Sequence, residues 1–355
     1  MFTLAVITWM PRWSKLNNWL DRNVQLSGIL NNLDVVLNNQ NDIMKRLSVN
    51  RNNEEIHNPT GENNGQNRNK HVSKIDNEHA HANLVDTVNS VVKIDTTFQC
   101  QNVSLNTFFK RPFPICTYRN KEDRVVSGYF SGKHGPAAYW EKRIVTRVMS
   151  ELKKHPTWGF FDVGAHIGVY TIPALKLGTQ VVAIEALTRN IDRLTRSVQL
   201  NNIHENLTLL HNAVYDVHTQ FTFKPESRNV AGTSVVKLNT PDGAHQLKLV
   251  NEKVTSITFD DTLQFVNFKE AIMKIDIEGS EAFAFKKADK LLNTITFKEI
   301  YMEWGHTVKV DEEAGQLVQR KFKRGYSVYE PRKPTRNISS VHYKKWPWDI
   351  IWRLH

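Results

Sequence analysis

The chain has 355 residues, 40% of them hydrophobic, and carries 47 Lys and Arg against 36 Asp and Glu, a formal charge of +11. That apolar content suits one large core with appendages and excludes two full catalytic domains. The charge is uneven: Arg320 to His355 holds ten basic residues against Glu330 and Asp349 alone, a pattern that suits either an acidic partner or a solvated basic face.

Phe2 to Met10 is apolar but too short to span a bilayer, and no basic segment precedes it, so no transmembrane helix is read there. The protein is then cytosolic, or this stretch acts as a weak signal, or an anchor precedes this Met1. Leu26, Leu30, Leu33, Leu37, Met44 and Leu47 alternate at four and three residues, with Gln40 in the one polar slot. This is the seam of a short coiled coil over 26–47 through which a homodimer could form, although Gly28 and the many asparagines oppose a helix. Residues 50–81 are polar and nearly free of large apolar side chains, which predicts a flexible linker. The first 95 residues therefore read as a stem-like region ahead of one domain at 96–334, with 335–355 as a basic, aromatic C-terminal tail.

Cys100 and Cys116 fit one disulfide in an oxidising compartment, or two reduced bystanders. Asn102-Val-Ser, Asn206-Leu-Thr and Asn337-Ile-Ser are glycosylation sequons. Residues 98–131 read as a small β-rich lead-in, and Gly135-Pro136 as the start of a helix through Lys154 that carries Tyr139, Trp140, Ile144, Val148 and Leu152. Trp158 to Val163 is an apolar strand ending in the turn Asp162-x-Gly164-x-x-x-Gly168, where glycines would let a ligand approach the backbone and the next helix would offer free N–H groups. His166 stands where a dinucleotide fingerprint needs glycine, which argues against a pyrophosphate ligand and a nicotinamide-dependent oxidoreductase. Gln180 to Glu185 is a second strand whose terminal acid is placed for two ribose hydroxyls. A helix with a basic outer face follows over 190–200, then a strand at Leu207–Leu210 ending in Asn212-Ala213, which on its own reads equally as a turn asparagine. Residues 221–254 alternate around Asn229-Val-Ala-Gly-Thr-Ser234 and Pro241-Asp-Gly243, which predicts inserted hairpins overhanging the reacting group.

The remaining signal is Ile272-Met-Lys-Ile-Asp-Ile-Glu-Gly-Ser-Glu281, preceded by Ser256-Ile-Thr-Phe-Asp-Asp-Thr-Leu263. With Asp-Val-Gly-Ala-x-Ile-Gly, the Glu185 strand and Asn212-Ala213, it resembles the FkbM-type family of S-adenosylmethionine-dependent O-methyltransferases over roughly Phe113 to Tyr329. The family's usual asparagine is His166 here. The resemblance implies an α/β, Rossmann-like class I methyltransferase fold with a doubly wound, mostly parallel sheet. It also implies S-adenosylmethionine bound by Asp162, Gly164, Ala165, His166, Ile167, Gly168, Glu185, Asn212 and Ala213, with Glu141 facing the cofactor's ammonium.

Alternation along Ile272 to Ile277 puts Lys274, Asp276 and Glu278 on one face, where three charges are costly unless paired or used. Asp276 is then the base or the acceptor-orienting acid, with Lys274 tuning it. The bland reading pairs Lys274 with Asp276 internally and makes Glu278 a helix cap near Gly279. Glu303 and His306 are the rival base, and a divalent cation on Asp276 with Glu278 or Glu281 is a further option. After a strand at Lys298–Glu303, a helix over 311–324 and a strand at Tyr326–Tyr329, the tail offers Tyr343, Trp346, Trp348 and Trp352. These could stack bases, stack sugars or pack back onto the domain, packing being the default. The expected reaction is O-methylation of a sugar hydroxyl in a glycan, in the Golgi or secretory lumen by analogy of layout. The alternatives are an RNA-directed methyltransferase, and a glycan-binding protein that keeps the fold without catalysis.

Overall fold

The computed structural model describes residues 82–131, 138–238 and 250–355. The expected coiled coil over 26–47, the linker over 50–81, the helix start at Gly135 and the turn Pro241-Asp-Gly243 lie outside the described residues. None of the helices in the described residues is long and apolar enough to cross a membrane.

Fourteen strands follow one another: β1 (Phe98–Val103), β2 (Phe113–Tyr118), β3 (Gly159–Val163), β4 (Val181–Glu185), β5 (Leu207–His211), β6 (Ala213–Val214), β7 (Gln220–Glu226), β8 (Asn229–Lys237), β9 (Val250–Ile257), β10 (Glu270–Ile275), β11 (Thr296–Glu303), β12 (Tyr326–Glu330), β13 (Lys333–Asn337) and β14 (Asp349–Leu354). Eight of them form the central sheet in the order β13-β12-β14-β11-β10-β3-β4-β5. β5, β4, β3, β10 and β11 run parallel, while β14 enters antiparallel between β11 and β12. This is the Rossmann-like, doubly wound order.

The strands are apolar because both faces are covered. Alternation sends Phe161, Val163, Val182, Ile184, Met273 and Ile275 into one core layer. That layer also takes Ala282, Leu291, Ala314 and Leu317 from the helices Glu281–Ala284, Asp289–Thr294 and Asp311–Lys323. Phe160, Val181, Ala183 and Ile272 point the other way, onto the helices Lys142–Lys154, Thr171–Lys176 and Thr188–Asn201. In the first of these, Val145, Val148, Met149 and Leu152 recur at helical spacing on the buried side.

Several expectations change. Residues 82–95 are not part of a separate stem: Asn83 and Val85 hydrogen-bond to His211 and Leu209 along the outer edge of β5. Residues 335–355 are not a free tail either. They supply the end of β13 and all of β14, and Trp346 and Trp352 are buried. The helix ahead of β3 begins at Lys142, because Glu141 takes a left-handed conformation, φ 48°. The helix after β4 is not simply basic on its outer face, since Arg193 is buried with its guanidinium over Tyr118 and donates to the Thr117 carbonyl. Cys100 and Cys116 form a disulfide across the antiparallel pair β1–β2. The insertion between β5 and β10 makes a second sheet in the order β6-β9-β7-β8, with β7 and β8 as the expected hairpin.

Four of the ten basic residues from Arg320 onward are ion-paired. Arg324, Arg336, Lys344 and Arg353 pair with Asp289, Glu330, Asp311 and Glu299. Lys321 is 1% exposed, and its ammonium lies 3.7 Å over the Phe285 ring with no hydrogen-bond partner. Burial, helped by the nearby Arg324 charge, holds its pKa well below the ordinary 10.5. Lys321→Met should therefore stabilise the protein by about 1–3 kcal/mol at pH 7 in urea unfolding. Below 10.5 the unfolded chain binds a proton that the fold sheds, so wild-type stability from this group rises with pH and the gap between the two proteins narrows toward pH 10.

Candidate active site

In open α/β sheets, ligands bind beyond the carboxyl ends of the strands where the winding direction reverses. Here that point lies between β3 and β10, at Gly164 and Asp276. Gly164 has φ 81°, and a Cβ on it would come 1.9 Å from the Asp276 carbonyl oxygen. The glycine thus lets two strand ends meet, rather than letting a ligand approach the backbone as expected. Gly168 likewise packs against Leu194. Gly164 and Ala165 both donate to the Ile184 carbonyl (2.9 and 3.0 Å). Ala165 and Ile167 are core residues. Asp162 is buried beneath the turn, where it accepts from the Thr171 hydroxyl. Burial, only partly offset by that bond and by Lys274, pushes its carboxyl up to about 7.

The N–H of His166 is not free for a ligand, since it donates to Glu185 Oε2 at 2.7 Å. Glu185 Oε1 accepts from the Leu187 N–H (2.7 Å) and from Asn190 Nδ2 (3.1 Å). Asn212 is similarly engaged, accepting from the Asn83 N–H and donating to the Thr255 carbonyl. These two polar residues shape a cavity as much as they offer groups to it. The cavity has about 590 Å³ of unfilled space, its open mouth included. Its lining includes Gly164, His166, Glu185, Asn212, Ala213, Asp276 and Glu278, with Ile184, Leu187 and Val214 as apolar walls and Phe223, Val230, Ala231 and Val235 as a roof from β7 and β8. Both ring nitrogens of His166 are buried here without a partner. Burial lowers its pKa, so the imidazole on the cavity wall is neutral.

A second, wider cleft has about 2590 Å³ counted the same way and shares Ala231, Asp276 and Glu278 with the first. Its lining adds Tyr129, Trp140, Glu141, Glu226, Glu303, His306, Glu330, Trp348 and Asp349, with Lys142, Arg143 and Arg332. Glu141 was expected beside the cofactor's ammonium. It lines this cleft, where it accepts a hydrogen bond from the Tyr170 hydroxyl.

The junction of the two spaces is a network of ionisable groups. β10 stops at Ile275, so Asp276 follows it directly while Glu278, at φ 54°, turns away. Buried Lys274 donates to Asp276 Oδ2 at 2.9 Å. Burial raises the Asp276 pKa, but the Lys274 ammonium outweighs it and holds the carboxylate ionised. Glu278 is not a helix cap: its Oε2 lies 2.8 Å from His306 Nδ1, which is also 3.1 Å from Glu303 Oε2. Burial, then repulsion from Asp276, pushes Glu278 up to about 8 and Glu303 far up. Burial also lowers His306, reinforced by the Lys309 charge. At neutral pH the group therefore holds one ionised carboxylate, two carboxylic acids and a neutral imidazole.

Glu281 ties the turn together, accepting from the Ile277 N–H and the Thr307 hydroxyl, and burial pushes it up to about 7. Ligand atoms of Glu278, Glu303 and His306 lie within 4.8 Å of one another, as do those of Asp276, Glu281 and Glu303. Either set could receive a cation only by giving up protons it now shares. Trp348 and Asp349 were missed as site residues, because they reach the site through β14, a strand that pairs antiparallel with β11 and carries no local motif.

Residues 162–328 match the family model described as the Methyltransferase FkbM domain. No match is found among the curated proteins. Similar solved structures include an rRNA methylase from Streptococcus thermophilus (12% identity, TM-score 0.32, covering 58% of this chain and 95% of that one). Another is the T. thermophilus 16S rRNA N2 G1207 methyltransferase in complex with AdoMet and guanosine (12%, 0.36, 74% and 52%). A third is the precorrin-6y C5,15-methyltransferase from Geobacter metallireducens GS-15 (14%, 0.30, 61% and 89%).

Proposed function

We propose that this chain, whose matched region is an FkbM methyltransferase domain, moves the methyl group of S-adenosylmethionine to a hydroxyl of a neutral glycan. The observation that carries this reading is the meeting of the cavity and the wide cleft at Asp276 and Glu278. A group passed between two ligands has to cross there.

The residues of the first cavity suit S-adenosylmethionine. Apolar Ile184, Leu187, Val214 and Phe223 can enclose a purine, and His166 offers unpaired ring nitrogens to ribose or amino-acid groups. Bound there, the cofactor supplies a methyl on a sulfonium, open to in-line displacement. Asp276 accepts a hydrogen bond from the acceptor hydroxyl and aims its oxygen at the junction. As the new C–O bond forms the hydroxyl proton passes to Asp276, while His306, with Nδ1 engaged by Glu278 and Glu303, borders the same junction. Lys274 keeps Asp276 ionised, and the β7–β8 roof limits water. Positioning accounts for much of the rate, and base assistance adds about 10²–10⁴-fold.

Charge supports a neutral acceptor over RNA. Seven carboxyl groups, two of them the protonated Glu278 and Glu303, line the cleft against Lys142, Arg143 and Arg332, and four of the C-terminal basic residues are paired internally. The disulfide and the exposed sequon residues Asn102, Asn206 and Asn337 support the secretory lumen as the compartment. The test is transfer of labelled methyl from S-adenosylmethionine into parallel pools of neutral glycans, RNA and small phenols. Label in the glycan pool is expected, and label in RNA alone would overturn the acceptor class.

A further inference from the structure

Of the four C-terminal aromatics, Trp346 and Trp352 are buried and Tyr343 packs against them, but Trp348 is 54% exposed. Among the described tryptophans it is the only exposed one. An exposed indole is ordinarily free to change rotamer, and this one is held at several points. Its Nε1 donates to Glu303 Oε1 at 2.8 Å. Its own carbonyl accepts from the N–H groups of Trp304 and Gly305. Its ring lies so close over Gly305 that a Cβ there would sit 2.3 Å from ring carbon. It also meets the His306 ring edge-on at 5.1 Å. A large apolar face is thus kept exposed and fixed on the wall of the wide cleft.

We propose that Trp348 is the platform on which a pyranose ring of the acceptor stacks, setting which hydroxyl reaches Asp276 and His306. This rests on the glycan reading above. A pyranose presents a C–H face that an electron-rich ring attracts, and a rim of hydroxyls that the surrounding carboxyls can accept from or donate to. A nucleobase could stack on the same ring, and Lys309 Nζ lies 5.8 Å from its centroid, but the cleft that its phosphates would enter holds more carboxyl groups than cations. The immobilised indole loses no rotamer freedom on binding, which favours recognition of a weak ligand.

The test uses the full chain, with a pool of neutral N-glycans and a short single-stranded RNA as probes. Saturation-transfer NMR and titration are run beside labelled methyl transfer for wild type, Trp348→Phe and Trp348→Ala. Phe keeps a ring face and loses the N–H to Glu303, whereas Ala loses both. Stacking predicts glycan affinity weakened about tenfold in the Ala variant and within about threefold of wild type in the Phe variant, with S-adenosylmethionine binding unchanged. Equal weakening in both variants would show that the N–H to Glu303 matters and would overturn the platform. Unchanged glycan binding in the Ala variant, no glycan binding by wild type, or binding of RNA alone would overturn it too. Trp348-dependent glycan binding without methyl transfer would keep the platform and sink the catalytic reading.

Discussion

In Asp276→Asn, methyl transfer to the accepted glycan should fall by about 10²–10⁴-fold, while S-adenosylmethionine still binds within about threefold of wild type. The substitution keeps shape and removes charge at one of the three residues that line both spaces. Asparagine can still meet a hydroxyl, but it offers no anion to a proton that is leaving. The buried Lys274 ammonium loses its nearest partner, which would ordinarily cost about 3–5 kcal/mol. That cost is softened here because Glu141 and Asp349 also face the ammonium. Steady-state transfer assays with cofactor titration separate the two effects: a fall in kcat with unchanged cofactor affinity is catalytic, and loss of both is structural.

Gly164→Ala should be the most damaging single methyl group in the domain. The residue sits at φ 81°, where a side chain costs about 1–2 kcal/mol, and the added Cβ would lie 1.9 Å from the Asp276 carbonyl oxygen. Backbone cannot swing aside as a side chain can, so β3 and β10 must part at the switch point. A total loss of about 3–5 kcal/mol is expected in urea unfolding. Cofactor binding should be lost with it even under conditions where the variant stays folded, because Gly164 and Asp276 line the same cavity.

The central strands were legible because burial on both faces leaves runs such as Phe160 to Val163 and Val181 to Ile184 without polar interruption. The glycine turn, Glu185 and the Lys274–Asp276 pair were legible because their chemistry is local, within a few residues of a strand end. What these groups do was less legible. Sequence makes Glu185 and Asn212 reach for a ligand, yet Glu185 is engaged by the His166 and Leu187 N–H groups and by Asn190, and Asn212 by the distant Asn83 and Thr255. Sequence puts Glu278 on the functional face beside Asp276, or in the bland alternative makes it a cap, but no spacing rule foretells φ 54° or a partner 28 residues on. The tail was set apart for its charge and composition. An antiparallel strand inserted between β11 and β12 is a long-range pairing, and it buried Trp346 and Trp352 while leaving Trp348 in the cleft.

The most direct measurement is a crystal structure of the complex with S-adenosylhomocysteine. The account predicts the nucleoside in the cavity beside His166 and Glu185, with the thioether at the junction facing Asp276 and open to the cleft that holds Trp348. A nucleoside in the wide cleft, or a thioether turned away from Asp276, would contradict it.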